Sequence, residues 1–191
     1  MPATAIARHF PWTAQLGGEP VELRLMTPED REPVLRFVRS LPEEDLYFLI
    51  NDIRDPSGMN RWIDGLKDQS TTTVLAESKG NLLGYGTIRV GHLRWTRHLG
   101  EIRIIVGPGQ RGKGLGKLLA KEVFAVAHDV GLKRIIARLT SKQSPARYLF
   151  QHLGFHIEAV LADSVIDNEG RTQDMVFMSY DVAGFHGYPQ M

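Results

Sequence analysis

The chain has 191 residues, with 23 Lys plus Arg against 22 Asp plus Glu, 42% hydrophobic residues, 19 glycines and no cysteine. The missing cysteine excludes a disulfide framework, a thiolate-ligated zinc or iron–sulfur site and a catalytic thiol. A formal charge of +1 gives no footing for nucleic acid or an anionic membrane as the main partner. The length suits one domain of about 100–200 residues. No apolar run reaches the ~18 residues of a membrane-crossing helix, and residues 1–18 lack the apolar core of a secretory signal. The expectation is a cytoplasmic protein with a loose or strap-like N-terminal extension (residues 1–18), one domain (19–182) and a loose tail (183–191).

Along the chain, Val21-Glu22-Leu23-Arg24-Leu25 alternates apolar and polar residues as a half-buried strand does. Thr27-Pro28-Glu29-Asp30 opens a helix, with Thr27 as N-cap, Pro28 at the first helical position and Asp30 at the capping-box position; Val34, Leu35 and Val38 form its apolar stripe. Pro42-Glu43-Glu44-Asp45 opens a second helix through Leu46, Phe48, Leu49 and Ile50. A third runs over about residues 57–67, carrying Trp62, Ile63 and Leu66. Residues 71–77 and 82–90 form a hairpin about Lys79-Gly80-Asn81. After a polar-aromatic connection over 93–98, residues 101–106 form an apolar-rich strand.

A glycine-rich segment comes next, and then an amphipathic helix over 115–129, with Leu115, Leu118, Leu119, Val123 and Val126 at helical spacing and Gly131 as its stop. Residues 133–139 are a strand and 145–152 a short helix closed by Gly154. Two strands, 155–166 and 172–180, flank the turn Asp167-Asn168-Glu169-Gly170. The order β-α-α-α-β-β-β-α-β-α-β-β describes a mixed α/β single domain.

Gly107-Pro108-Gly109-Gln110-Arg111-Gly112-Lys113-Gly114-Leu115-Gly116 holds five glycines in ten residues between that strand and that helix. The context offers backbone N–H groups and a helix start to an anion, most naturally a phosphate, with Arg111, Lys113 and Lys117 adding positive charge. Gly107-x-Gly109-x-x-Gly112 matches the dinucleotide fingerprint as a string. The acid expected about 20 residues on is missing, since the next strand ends Leu139-Thr140-Ser141. Gly107-x4-Gly112-Lys113 approaches a P-loop, but Gly114 stands where the magnesium-binding Ser or Thr belongs.

A third match is Arg111-x-x-Gly114-x-Gly116 after Val106-x-Pro108, which resembles the pyrophosphate motif of the GNAT superfamily, the acyl-CoA-dependent N-acetyltransferases. Gln143-x-x-Ala146-x-x-Leu149-Phe150-x-x-x-Gly154-Phe155 is similar to a later segment of the same family, and the element order agrees over residues 21–180. The resemblance implies an α/β single-domain fold with a mixed, mostly antiparallel sheet of about seven strands, splayed central strands and flanking helices. It implies acetyl-CoA as co-substrate without a metal: backbone of Ile104, Ile105 and Val106 along the pantetheine arm, the pyrophosphate on Arg111, Gly112, Lys113, Gly114, Leu115 and Gly116 with Lys117 close by, and Gln143 in place of the usual Asn. It also implies a homodimer and an amine acceptor, either a small molecule or a protein lysine or N-terminus.

The chemistry implied is direct attack of an amine on the thioester. Glu101 is the candidate base, with an ion pair to Arg103 as the structural alternative; a paired Glu101 would be the poorer base. His98 is a second base candidate, more readily a surface or structural residue. The usual acid, a tyrosine, falls at Phe150, which cannot donate a proton. Tyr148 is two residues earlier, about 200° around a helix. That leaves Tyr85 or solvent to protonate the thiolate.

The segment 28–55 carries eight acids and four bases, 4 − 8 = −4, a rim that would attract a cationic amine or simply a solvated helix face. Tyr47, Phe48, Trp62 and Trp95 are either pocket walls or core. A module that binds acyl-CoA without chemistry is the alternative to an active N-acetyltransferase, and a magnesium-dependent nucleotide hydrolase is a distant third.

Overall fold

The computed structural model describes residues 9–47, 53–91, 93–167 and 169–182. Residues 48–50 of the second expected helix, Asn168 of the last turn, the tail from 183 and the first eight residues lie outside them, as does the side chain of Tyr47. Strands β1 (Trp12–Leu16), β2 (Glu19–Leu25), β3 (Thr71–Ser78), β4 (Asn81–Val90), β5 (Leu99–Val106), β6 (Arg134–Thr140), β7 (His156–Ile166) and β8 (Thr172–Asp181) alternate with helices α1 (Arg31–Arg39), α2 (Glu43–Tyr47), α3 (Pro56–Lys67), α4 (Leu115–Asp129) and α5 (Ser144–His152). The strands form one open sheet in the order β1-β2-β3-β4-β5-β6-β8-β7. The fold is therefore the mixed α/β arrangement expected, with one strand more than seven.

The additional strand is β1, inside the stretch read as a lead-in. Trp12, Ala14 and Leu16 are half-buried and alternate with exposed Thr13 and Gln15. Gly17 and Gly18, at φ +60° and +85°, make the two-residue turn that returns the chain as β2. The Trp12 indole N–H donates to Glu122 Oε2 at 3.0 Å, fastening this edge to α4.

The expected start of the first helix is present as a 3₁₀ turn over Pro28–Asp30 that runs into α1. Asp30 accepts from the Thr27 N–H at 2.7 Å and the Thr27 hydroxyl at 3.2 Å. It also receives a two-pronged bond from Arg24, at 2.7 and 2.8 Å. Arg24 in turn reaches Glu77 of β3 at 2.6 Å, so one guanidinium joins β2, β3 and the start of α1.

Helices cover the two faces of the sheet. On one, α4 places Leu115, Leu119, Val123 and Val126 against Leu23, Val74, Ile88, Ile102 and Ile135. Gly86 lets α4 settle there, because a Cβ on it would stand 2.7 Å from Val123 Cγ2. On the other face, Val34 and Val38 of α1 and Met59 and Trp62 of α3 close over Leu75 and Tyr85. The outer edge strand β7 leaves Ile157, Val160, Leu161 and Ile166 44–56% exposed.

Neighbouring strands run antiparallel except β5 and β6, which are parallel because α4 carries the chain back between them. Their pairing is brief: Leu99↔Arg134, Gly100↔Ile135 and Glu101↔Ile136, after which it stops. β5 stays on β4 as far as Gly84↔Val106, and β6 stays on β8 as far as Thr140↔Met175. Beyond Glu101 and Ile136 the two central strands part.

Candidate active site

The parting gives residues 103–106 of β5 one edge paired to β4 and one edge with no strand on it among the described residues. Ile104 and Val106 pack toward the α4 core and Ile105 toward the α1/α3 core. Their side chains anchor the strand from both faces and leave its backbone at the gap, as an extended polar ligand requires.

This edge leads straight into the glycine-rich segment. Gly112 and Gly114 hold φ +75° and +91°, conformations that favour glycine. Nothing stands within 4 Å of where a Cβ on Gly112 would be, so backbone conformation rather than lack of room selects glycine at that position. The first bond of α4 runs from the Leu118 N–H to the Gly114 carbonyl at 3.1 Å. The amides of Leu115, Gly116 and Lys117 therefore stand outside the helix ladder at its positive end. The Leu115 side chain is fully buried, so that residue contributes its amide alone. Lys113 and Lys117 are exposed.

Arg111, expected as a further positive charge on the loop, has an acidic partner. Its guanidinium is paired with Asp45 of α2, and its Nε donates to the Val106 carbonyl at 3.4 Å. Gln143, at the start of α5, accepts the Thr140 N–H on its Oε1 at 2.9 Å. That oxygen is committed to its own turn, which leaves the amide's N–H₂ as the group for a ligand.

At the apex of the gap Glu101 meets two guanidinium groups. Arg103 donates to its Oε1 at 2.9 Å. Arg138 of β6 donates through Nε to Oε1 at 3.1 Å and through Nη2 to Oε2. The ion pair weighed against a base role is present and is doubled. Burial pulls the Arg103 guanidinium below its ordinary value, and the Glu101 charge works against that fall.

His98 lies exposed at the β4–β5 turn. Its carbonyl accepts the Lys133 N–H at 2.9 Å, and among the described residues its ring makes no bond to Glu101. Tyr85 is buried between Phe37 and Trp62, with ring centroids at 6.1 and 5.1 Å. It stands opposite Ile105 across β4 and β5. Burial pushes its phenol well above the usual tyrosine value, so it stays protonated, and the same burial makes it a reluctant proton donor.

Phe150 is buried against Phe155 at 4.8 Å, on the opposite side of the sheet from Tyr85. Tyr148 is 58% exposed. Trp62 is a core residue whose N–H donates to Thr73 at 3.0 Å, and Trp95 stands 75% exposed.

Three acids of the early segment are paired with arginines: Asp30 binds Arg24, Glu43 binds Arg54, and Asp45 binds Arg111. Among the described residues no group of three or more His, Asp or Glu is arranged to hold a metal ion. Arg138 is absent from the sequence reading, as is the pairing of Asp45 with Arg111. Arg138 had one usable signal, its alternation with Arg134 against the buried Ile135, Ala137 and Leu139.

A match to the family described as Acetyltransferase (GNAT) covers residues 35–155. The chain is 29% identical over 92 residues to a streptothricin acetyltransferase of Streptomyces lavendulae, spanning about half of each protein, 48% and 48%. It is 29% identical over 120 residues to the L-amino acid N-acyltransferase MnaT of Escherichia coli strain K12, covering 61% of this chain and 68% of that one. Among solved structures it is similar to a phosphinothricin acetyltransferase of Sinorhizobium meliloti in complex with acetyl-CoA. That likeness has a TM-score of 0.74 at 22% identity, over 89% of this chain and 93% of the other.

Proposed function

The chain belongs to the GNAT family of acetyltransferases, and from that premise we propose that it moves the acetyl group of acetyl-CoA directly to the amine of a small acceptor. The observation that carries this reading is the continuity between the unpaired edge of residues 103–106 and the glycine loop with its three helix-start amides. The residues suit the co-substrate: an extended amide-bearing arm can pair with strand edge, and a pyrophosphate matches amides at a helix start backed by Lys113 and Lys117. The names of the relatives, an L-amino acid N-acyltransferase and a streptothricin acetyltransferase, support a small acceptor over a protein one.

In the transfer the amine nitrogen forms a bond to the acetyl carbon, the carbon–sulfur bond breaks, the nitrogen loses a proton and the thiolate gains one. Without a cysteine no acyl-cysteine forms on this chain, so the transfer is direct. Glu101, at the point where the strands part, is the carboxylate assigned to the amine's proton. Its two arginine partners hold it in place. Tyr85 is the protonated hydroxyl assigned to the departing thiolate, with solvent as the alternative.

The competing reading, a module that binds acyl-CoA without turning it over, draws on the doubly paired Glu101 and on phenylalanine at position 150. One assay separates them: the protein is supplied with acetyl-CoA and a panel of amines, and release of the free thiol is followed. Acceptor-dependent release supports transfer. Tight acetyl-CoA binding by calorimetry with no release from any acceptor overturns it in favour of the binding module.

A further inference from the structure

Past the last β5–β6 pair, the next residues on the same face of the two strands are Arg103 and Arg138. They flank the opening gap from its two sides with Glu101 between them. Arg89 of β4 lies directly opposite Glu101 in the antiparallel ladder, hence on the same face. Arg103 and Arg138 bind that carboxylate, and Arg89 shares its face. Asp181 and Glu158, further along β8 and β7, are engaged by Arg134 at 3.0 and 3.7 Å.

The arrangement leaves capacity for a second anion. Arg138 is 40% exposed and gives Nε and Nη2 to Glu101. That leaves its Nη1 without a protein partner among the described residues. Arg89 makes no ion pair or side-chain hydrogen bond among the described residues. A guanidinium offers five donors in a planar fork suited to carboxylate, and Glu101 uses only part of the supply.

We propose that Arg138, together with Arg89, forms an anion subsite at the apex of the gap, so that the acceptor is a dipolar small molecule carrying a carboxylate beside its amine. This rests on the acetyl-transfer reading above and adds the substrate class. The two ends of such an acceptor find opposite charges on one face: the ammonium turns to Glu101, which takes its proton, and the carboxylate turns to the arginines. A purely cationic acceptor would instead face Arg89, which has no acidic partner among the described residues, and would leave the spare donors of Arg138 unused.

The test compares apolar α-amino acids, their carboxamides and the matching decarboxylated monoamines as acceptors at saturating acetyl-CoA. Alongside it, calorimetry measures binding of an N-acetyl-amino acid and its carboxamide in the presence of CoA. In the unmodified protein kcat/KM should favour the carboxylate over the carboxamide by about ten- to hundredfold, the worth of charge-assisted hydrogen bonds, with calorimetry showing the same order. In Arg138→Gln that ratio should collapse toward one, and in Arg138→Lys it should fall only in part, with acetyl-CoA binding confirming that both variants are folded.

Turnover of monoamines with no preference for carboxylate overturns the subsite and leaves the acetyl-transfer reading standing. Equal losses on carboxylate and carboxamide in Arg138→Gln also overturn it, because they mark a structural or transition-state role. Absence of turnover on every acceptor overturns both readings.

Discussion

Replacing Glu101 by Gln removes one negative charge from between two guanidinium groups while keeping shape and one acceptor oxygen. The Glu101 and Arg103 side chains are 17% and 22% exposed, so that pair is largely shielded, and its charged hydrogen bond is worth about 1.5–3 kcal/mol. Arg138 is 40% exposed, and its share is discounted to the ~0–1 kcal/mol of a surface pair. The expected loss of stability is therefore about 2–3 kcal/mol, readable as a lower urea midpoint and within the ~5–15 kcal/mol of an ordinary domain.

If Glu101 also takes the amine's proton, kcat should fall by roughly 10²–10⁴. The residual rate should keep rising with pH as solution supplies free amine in place of the lost base. Thiol release at saturating acetyl-CoA and acceptor gives kcat, and calorimetry shows whether acetyl-CoA still binds. A variant that loses the expected stability yet keeps kcat within about threefold would refute the base assignment and leave Glu101 as a brace for the two arginines.

Tyr85→Phe should lower kcat by about tenfold or more with little change in acetyl-CoA affinity; an unchanged kcat assigns thiolate protonation to solvent. Gly114→Ala forces a Cβ into φ +91° and should cost about 1–2 kcal/mol. It should also weaken acetyl-CoA binding by about tenfold, read by thermal melts and calorimetry.

Arg24→Met should cost about 2–3 kcal/mol at pH 7, below the cost of breaking a fully buried pair because Arg24 is 24% exposed. Burial alone would raise the Asp30 carboxyl, but the bonds from Arg24 and Thr27 outweigh it and hold it below the usual carboxylate range. The stability from Asp30 is thus present above its unfolded value, about 3.9, and is lost as pH falls through its lower folded value. The gap between wild type and variant should narrow from pH 7 toward about pH 2–3 in urea titrations; a constant gap would show that Asp30 is not the source.

The parts of the fold that were legible are those whose signal is local. α4 is found with its bounds as read, because its apolar positions recur at helical spacing and Gly114 and Gly131 punctuate it. The start of α1 is legible for the same reason, since Thr27, Pro28 and Asp30 specify one geometry. β1 is hard to read from sequence although Trp12, Ala14 and Leu16 alternate ahead of two glycines. A five-residue edge strand carries little hydrophobic weight, and its indole finds its partner, Glu122, on a distant helix. The glycine loop was legible as a glycine-rich connection into a helix start. The pairing of Arg111 with Asp45 was not, because the two are 66 positions apart and only the fold brings them together. Glu101 was marked together with its neighbour Arg103. Arg138 reaches it from a strand on the far side of a helix, so nothing in the order of residues sets the two arginines face to face.

The parallel join between β5 and β6 has a mechanical consequence. Between β1–β5 and β6–β8 the sheet is continuous through three residue pairs, Leu99 to Glu101 against Arg134 to Ile136. Two half-sheets meet at a short seam and lean on α4 beneath it. A molecule lodged in the open part of that seam touches both halves and lengthens the join, acting as a clasp as well as a reactant. The melting temperature should then climb with the logarithm of acetyl-CoA concentration once the site is filled. The amides of residues 134–136, remote from the glycine loop, should gain hydrogen-exchange protection on binding, because opening of the seam is what exposes them.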